Sequence, residues 1–210
     1  MTDNKISVKA IKVALLGDST VGKTAICNSL MNIEFSQDML STIGSDKLET
    51  KFRLKNGTEI KLILWDTAGQ ERFRSVALKA IKAVQGIVIV FDVTLKKSFQ
   101  NIDLWLEEIK NNFNNPSLVL FGNKVDMDKE KWEVTKEEAE QYAKKMNLQY
   151  FETSAKTKKG LNEGFSYIVN ESYNKLGGGD DGIKIDEDEW EIVNGCFGKK
   201  KRRKKKTVKK

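Results

Sequence analysis

The order of apolar and amphipathic segments predicts an α/β domain with a mostly parallel six-stranded sheet, one antiparallel edge strand and helices on both faces. Three observations carry that expectation. Short β-rich apolar runs alternate with longer segments of helical spacing, the layout of βαβ units. A glycine-bounded string, Gly17-Asp18-Ser19-Thr20-Val21-Gly22-Lys23-Thr24, joins the first such run to the first helical segment. Lys55-Asn56-Gly57 reads as a tight turn joining two further runs into a hairpin, which supplies the antiparallel pairing.

Taken in order, residues 8–16 form the first apolar strand and residues 22–31 the helix that follows the glycine string. Residues 52–54 and 59–64 are the two arms of the hairpin, and residues 76–84 read as the next helix. Residues 86–93 are almost wholly apolar, as expected of a strand covered on both faces. A helix over 97–112 leads to a strand at 118–122. Thr135, with Glu138 three residues on, resembles a capping box and starts a helix over 135–146. A last strand at 148–153 and a last helix at 161–176 complete the pattern. Three consecutive glycines then open Gly177-Gly178-Gly179-Asp180-Asp181-Gly182, which cannot continue a helix without cost. The expected organisation is one domain at residues 1–176 and a flexible tail at 177–210, acidic first and strongly basic at its end.

The net charge of +7 resides in that tail: ten of the 37 lysines and arginines lie in the last twelve residues, leaving 27 basic against 30 acidic elsewhere. The body is therefore slightly acidic, which disfavours a polynucleotide surface on the fold itself. Two isolated cysteines, Cys27 and Cys196, with no histidine in the chain, make neither a disulfide framework nor a zinc site. Cys27 falls inside the first helix and reads as core. No secretory leader and no membrane span is legible, so a monomer in the cytoplasm is expected.

The string from Gly17 to Thr24 is a full G-x-x-x-x-G-K-T after a strand and before a helix, the context a phosphate-binding loop requires. Glycines let the backbone approach the phosphates, and N–H groups from Asp18 through Ser19, Thr20, Val21, Gly22, Lys23 and Thr24 to Ala25 can point at them. Lys23 neutralises phosphate oxygens, and the Thr24 hydroxyl can ligate Mg²⁺.

Three further motifs follow in order. Trp65-Asp66-Thr67-Ala68-Gly69-Gln70-Glu71 leaves one strand, Asn123-Lys124-Val125-Asp126 leaves another, and Ser154-Ala155-Lys156 follows the last. Across residues 8–176 the chain resembles the Ras superfamily of small GTPases. Within it, Gly17-Asp18-Ser19, Ser41-Thr42-Ile43-Gly44, Trp65 to Ser75, Phe91-Asp92-Val93-Thr94, Gly122 to Asp126 and Glu152 to Lys156 resemble the Rab branch. The resemblance implies a P-loop NTPase G domain that binds GTP or GDP with Mg²⁺ and hydrolyses GTP. By it, Asp126 accepts the ring N–H and amino group of guanine, Asn123 ties neighbouring loops, Lys124 lays its stem along the base, and Ser154, Ala155 and Lys156 complete the pocket. Phe35 packs against the base, Thr42 closes over Mg²⁺ and the γ-phosphate, Asp66 holds the metal through water, the Gly69 N–H reads the γ-phosphate, and Gln70 orients the attacking water. Lys23, Thr42 and Gln70 are the catalytic set, and Thr24, Thr42 and Asp66 the metal set.

The implied function is a switch that regulates vesicle traffic through effector proteins, an exchange factor and a GTPase-activating protein. A scaffold that holds GTP but barely hydrolyses it, and a nuclear or nucleic-acid-associated GTPase acting through its tail, are the alternatives. Several positions depart from the Rab pattern: Lys47, Ala80 and Ile81 stand where the family has aromatics, Met39 replaces a tyrosine, and Thr20 replaces a small residue. The departures at Lys47, Ala80, Ile81 and Met39 bear on partners and leave nucleotide chemistry intact, while Thr20, in the phosphate loop, bears on nucleotide affinity. The basic run at 199–210 admits three readings: a solvated tail, an electrostatic anchor to anionic lipid with an acylated Cys196 as second signal, or a nuclear-import or nucleic-acid patch. The family's usual terminal prenylation cysteine is not found in the sequence.

Overall fold

The structure is a computed structural model, and it describes residues 10–32, 45–54, 59–67, 81, 83–177 and 183–184. Its elements run β1 (Ala10–Leu16), α1 (Lys23–Leu30), β2 (Ser45–Leu54), β3 (Glu59–Thr67), β4 (Gly86–Asp92), α2 (Lys96–Gln100) and α3 (Ile102–Asn112). They continue with β5 (Ser117–Asn123), a 3₁₀ turn at Lys129–Lys131, α4 (Lys136–Lys145), β6 (Gln149–Glu152), α5 (Leu161–Lys175) and β7 (Ile183–Lys184). The sheet order is β6-β5-β4-β1-β3-β2-β7. β1 pairs in parallel with β3 and β4, β5 in parallel with β4 and β6, and β2 runs antiparallel to β3.

Strand alternation divides the core in two. Ile11, Val13 and Leu15 of β1 face one side with Val88, Val90, Val119 and Phe121, where α1 and α5 cover them through Ile26, Leu30, Phe165, Ile168 and Val169. Ala14 and Leu16 face the other side with Ile87, Ile89, Phe91 and Leu120, covered by Trp105 and Ile109 of α3 and Ala139 and Ala143 of α4. Burying a side chain the size of Phe121 or Ile11 contributes about 1.5–3 kcal/mol, against about 1 kcal/mol net for a hydrogen bond, so these two apolar layers dominate the fold's stability. β4 is buried along its whole length because it is central and covered on both faces.

Most predicted elements sit where expected, shifted by a residue or two. The predicted helix at 97–112 is interrupted: Asn101 takes ψ −2, and its side-chain amide donates to Asp18 Oδ2 at 2.6 Å instead of lying idle on a helix face. Of the predicted helix at 76–84, residues 81, 83 and 84 are described; they lie in a turn and coil, with Ala83 at φ 68 and Ile81 buried. The capping box forms by half. Thr135 accepts the Glu138 N–H at 3.2 Å, but the Glu138 carboxylate turns to the Lys96 ammonium instead of back to the cap. β7 was not anticipated: it lies inside the predicted tail and pairs Ile183 with Leu54 and Lys184 with Arg53, giving backbone partners to the outer edge of β2. Lys47, one of the departures noted above, sits opposite Trp65 and pairs with Glu49 at 2.6 Å. Hydrogen bonds from Lys47 and then Lys61 hold the Glu49 carboxyl below its usual range.

Candidate functional site

Parallel pairing brings the carboxyl ends of β1, β3, β5 and β6 to one end of the sheet, where open α/β sheets bind ligands. The loop from β1 to α1 is tightly constrained there. A Cβ at Gly17 would stand 2.1 Å from the Val90 carbonyl oxygen, and one at Gly22, which takes φ 98, would stand 2.4 Å from Asn123 Nδ2. Thr20, exposed at the turn, adopts φ 65, a conformation that costs a β-branched residue about 1–2 kcal/mol. The loop must therefore be held by its neighbours.

It is held from three sides. Lys23 is buried, and its Nζ donates to the Gly17 and Asp18 carbonyls at 3.0 and 2.7 Å. The Asp18 carboxylate accepts from Asn101 Nδ2 at 2.6 Å and Trp105 Nε1 at 2.9 Å, which anchors the loop to α2 and α3. Asn123, 1% exposed, donates through Nδ2 to the Val21 carbonyl at 2.9 Å and accepts the Ala155 N–H at 3.2 Å. One carboxamide thus ties the first loop to the loop after β6.

Burial lowers the Lys23 ammonium to about 8, an effect that Asp66 and then Asp18 oppose. The N-terminus of α1 carries no side-chain cap, so its first N–H groups present positive partial charge beside the lysine. A strained cradle, a buried ammonium and an uncapped helix start together suit a phosphate chain. The Thr24 hydroxyl donates to Asp66 Oδ2 at 2.6 Å, and Asp66 is 1% exposed. Among the described residues no group of three or more acidic or sulfur ligands gathers. This hard-oxygen pair fits Mg²⁺, which takes one or two protein oxygens and completes its shell with phosphate and water.

At the far end, Asp126 Oδ1 accepts the Ser154 hydroxyl at 2.6 Å, and Ser154 Oγ in turn accepts the Thr157 N–H at 3.1 Å. Lys124 adopts φ 70 and its Nζ lies 2.5 Å from Asp92 Oδ2. Ala155 is buried and Lys156 exposed. Ala25 packs against the core, Val21 is fully buried and Ser19 is part-exposed in the turn. Cys27 is buried, which pushes its thiol well above the usual value and leaves it a core residue. Phe35, Thr42, Gly69 and Gln70 lie outside the described residues, as do Met39, Ala80 and the basic run. Asp92, Asn101 and Trp105 were not read as neighbours of the site from the sequence. Asp92 stood there only as part of the Phe91 to Thr94 match, an acid ending an otherwise apolar strand.

A sequence model of the Ras family matches residues 12–174. The chain is 39% identical over 172 residues to the Ras-related protein Rab-13 of Bos taurus, covering 80% of this chain and 82% of that one. It is 38% identical over 172 residues to Rab-13 of Rattus norvegicus, with the same shares covered. To the Ypt/Rab-type GTPase ypt7 of Schizosaccharomyces pombe it is 41% identical over 165 residues, covering 76% of this chain and 80% of that one. The glycine cradle, the Asn123 tie and these likenesses lead to one conclusion: the chain belongs to the Ras family, as a Rab-like small GTPase.

Proposed function

We propose that this GTPase is a molecular switch whose residues 1–176 grip GTP or GDP with Mg²⁺ and whose GTP state recruits effectors in vesicle traffic. The observation that supports it most is the Asn123 carboxamide, which makes the phosphate loop and the base loop one hydrogen-bonded body. A ligand long enough to bridge the two is a nucleotide.

In this reading Lys23 and the N–H groups from Asp18 to Ala25 bind the phosphates, and Asn123, Lys124, Asp126, Ser154, Ala155 and Lys156 bind guanine. Phe35 flanks the base. Lys23 exchanges its two carbonyl partners for phosphate oxygens and stabilises the charge that spreads over them during in-line attack. Gln70 orients the attacking water, while Thr42 and the Gly69 N–H engage the γ-phosphate and lose that contact after hydrolysis, which releases two loops together. Thr24, Thr42 and Asp66 would hold Mg²⁺, which would supply divalent charge to the phosphates. Residues 199–210 act as an electrostatic anchor to anionic membrane surfaces, each lysine near such a surface contributing about 1 kcal/mol. Among the described residues no helix is long and apolar enough to cross a membrane.

Single-turnover hydrolysis of GTP tests the switch. Slow unaided turnover is expected, because residues 28–46 contain no arginine to act in cis. Gln70→Leu is expected to slow it by a further ten- to hundredfold while GTP still binds. Fast unaided hydrolysis, or a Gln70→Leu protein as fast as the wild type, would contradict the reading.

The lowered Lys23 value adds a pH dependence. An ammonium near 8 is about nine-tenths charged at pH 7 and about one-quarter charged at pH 8.5, so GDP affinity is expected to fall about fourfold across that interval. The nucleotide-free protein runs the other way. Between about 8 and the ordinary 10.5 the unfolded chain holds the proton that the folded chain has lost, so this group's contribution to stability rises with pH there. Titrating GDP at the two pH values with Mg²⁺ fixed checks the first sign; unchanged affinity would mean that Lys23 stays fully charged.

A further inference from the structure

Asp92 ends the apolar strand β4, and its Cα is the register partner of Asn123 at the end of β5. It is 3% exposed; its backbone pairs with Ser98 and Leu95, while its carboxylate is held by Thr94 and Lys124. Oδ1 accepts the Thr94 N–H at 2.9 Å and the Thr94 hydroxyl at 2.7 Å, and Oδ2 meets Lys124 Nζ at 2.5 Å. The Lys124 side chain is 36% exposed, while that of Asp92 is 5% exposed. That asymmetry decides which partner depends on the other. A lysine at the surface can be solvated by water, but a buried carboxylate needs its cation. The carboxylate, itself locked by Thr94, therefore fixes where the ammonium goes.

We propose that Asp92 is a positioning residue for guanine recognition, acting through Lys124. Pinned at its tip by Asp92 and at its backbone in a left-handed conformation beside Asn123, the Lys124 side chain has its four-carbon stem stretched between two fixed points. That presents a preset apolar bar beside Asp126 for one face of the base, so no rotamer freedom is lost when the nucleotide arrives. This rests on the proposed guanine site. It goes beyond it by naming a buried acid that touches no nucleotide and yet sets how long one stays.

Dissociation of a fluorescent GDP analogue in excess Mg²⁺ separates this role from a merely structural one. The variants are Asp92→Asn, Lys124→Met and the double variant; methionine keeps an alkyl stem but has no charge to pin. Each single change is expected to speed dissociation about tenfold or more, as the loss of a charge-assisted contact implies. The double variant is expected to match Lys124→Met within about twofold, because Asp92 has nothing left to hold. Equal acceleration by Asp92→Asn in both backgrounds would overturn the proposal, as would wild-type dissociation in either single variant. If Asp92→Asn does not fold, Asp92→Ser is measured in both backgrounds in its place, with the same outcomes supporting or overturning the proposal. A wild type that binds no GDP would instead refute the guanine site itself.

Discussion

Gly22→Ala is expected to lower the unfolding free energy by about 2–4 kcal/mol and to abolish tight nucleotide binding. The added Cβ would stand 2.4 Å from Asn123 Nδ2, and at φ 98 any L side chain is strained before it meets a neighbour. The left-handed backbone alone costs about 1–2 kcal/mol. Moving the Asn123 amide adds more, because the Val21 carbonyl and the Ala155 N–H then lose a buried partner, at about 1–3 kcal/mol for each group left unsatisfied. Only part of that is realised if the loop shifts. Nucleotide affinity suffers more than stability, since a displaced loop breaks the cradle and the tie to the base loop at once. Urea unfolding with and without GDP measures both effects. Wild-type stability would mean that the clash relaxes freely and that the Asn123 tie is not what organises the site.

Asp126→Asn is expected to cost about a thousandfold in GDP affinity and to shift the preference toward xanthosine diphosphate. Guanine offers two adjacent donors, a ring N–H and an amino group, which a carboxylate meets with two acceptors. An amide offers one acceptor and one donor, so its NH₂ faces the guanine amino group donor to donor. Xanthine carries an oxygen at that position and restores the match. Rejection by a site built for a specific hydrogen-bond pattern reaches four to five orders of magnitude, and a thousandfold is a moderate claim within that range. Ser154 donates to Asp126 Oδ1, and an asparagine oxygen can still accept that bond, so the fold is expected to survive. Competition of GDP and xanthosine diphosphate for the variant reads the change directly. Unaltered GDP affinity would remove Asp126 from the base site.

Legibility in the sequence followed how local each constraint is. Gly17, Gly22 and Lys23 could be read because a phosphate cradle needs close backbone approach and a charge at fixed spacing, and the structure gives the same residues tight contacts and burial. The central strands were legible for a similar reason: a segment covered on both faces must be apolar throughout, as β4 is. Side-chain direction was not legible. Asp18 was read for its backbone N–H in the phosphate cradle, and nothing in the sequence announced that its carboxylate turns to Trp105, 87 positions along the chain. The same long-range demand on Asn101 divides α2 from α3, and nothing in the local helical spacing announces it. β7 escaped notice because two residues carry no period, and their strand state depends on meeting the edge of β2. The roles given to Phe35, Thr42, Gly69 and Gln70 stand on family resemblance, since those residues lie outside the described ones.

Competition between guanine and adenine nucleotides for the purified protein in magnesium decides whether the site selects guanine. GDP and GTP are expected to displace a fluorescent GDP analogue at concentrations at least about a thousandfold below those of ADP and ATP, since adenine cannot supply the two donors proposed to meet Asp126. Equal displacement by adenine nucleotides, or no binding of either, would contradict it.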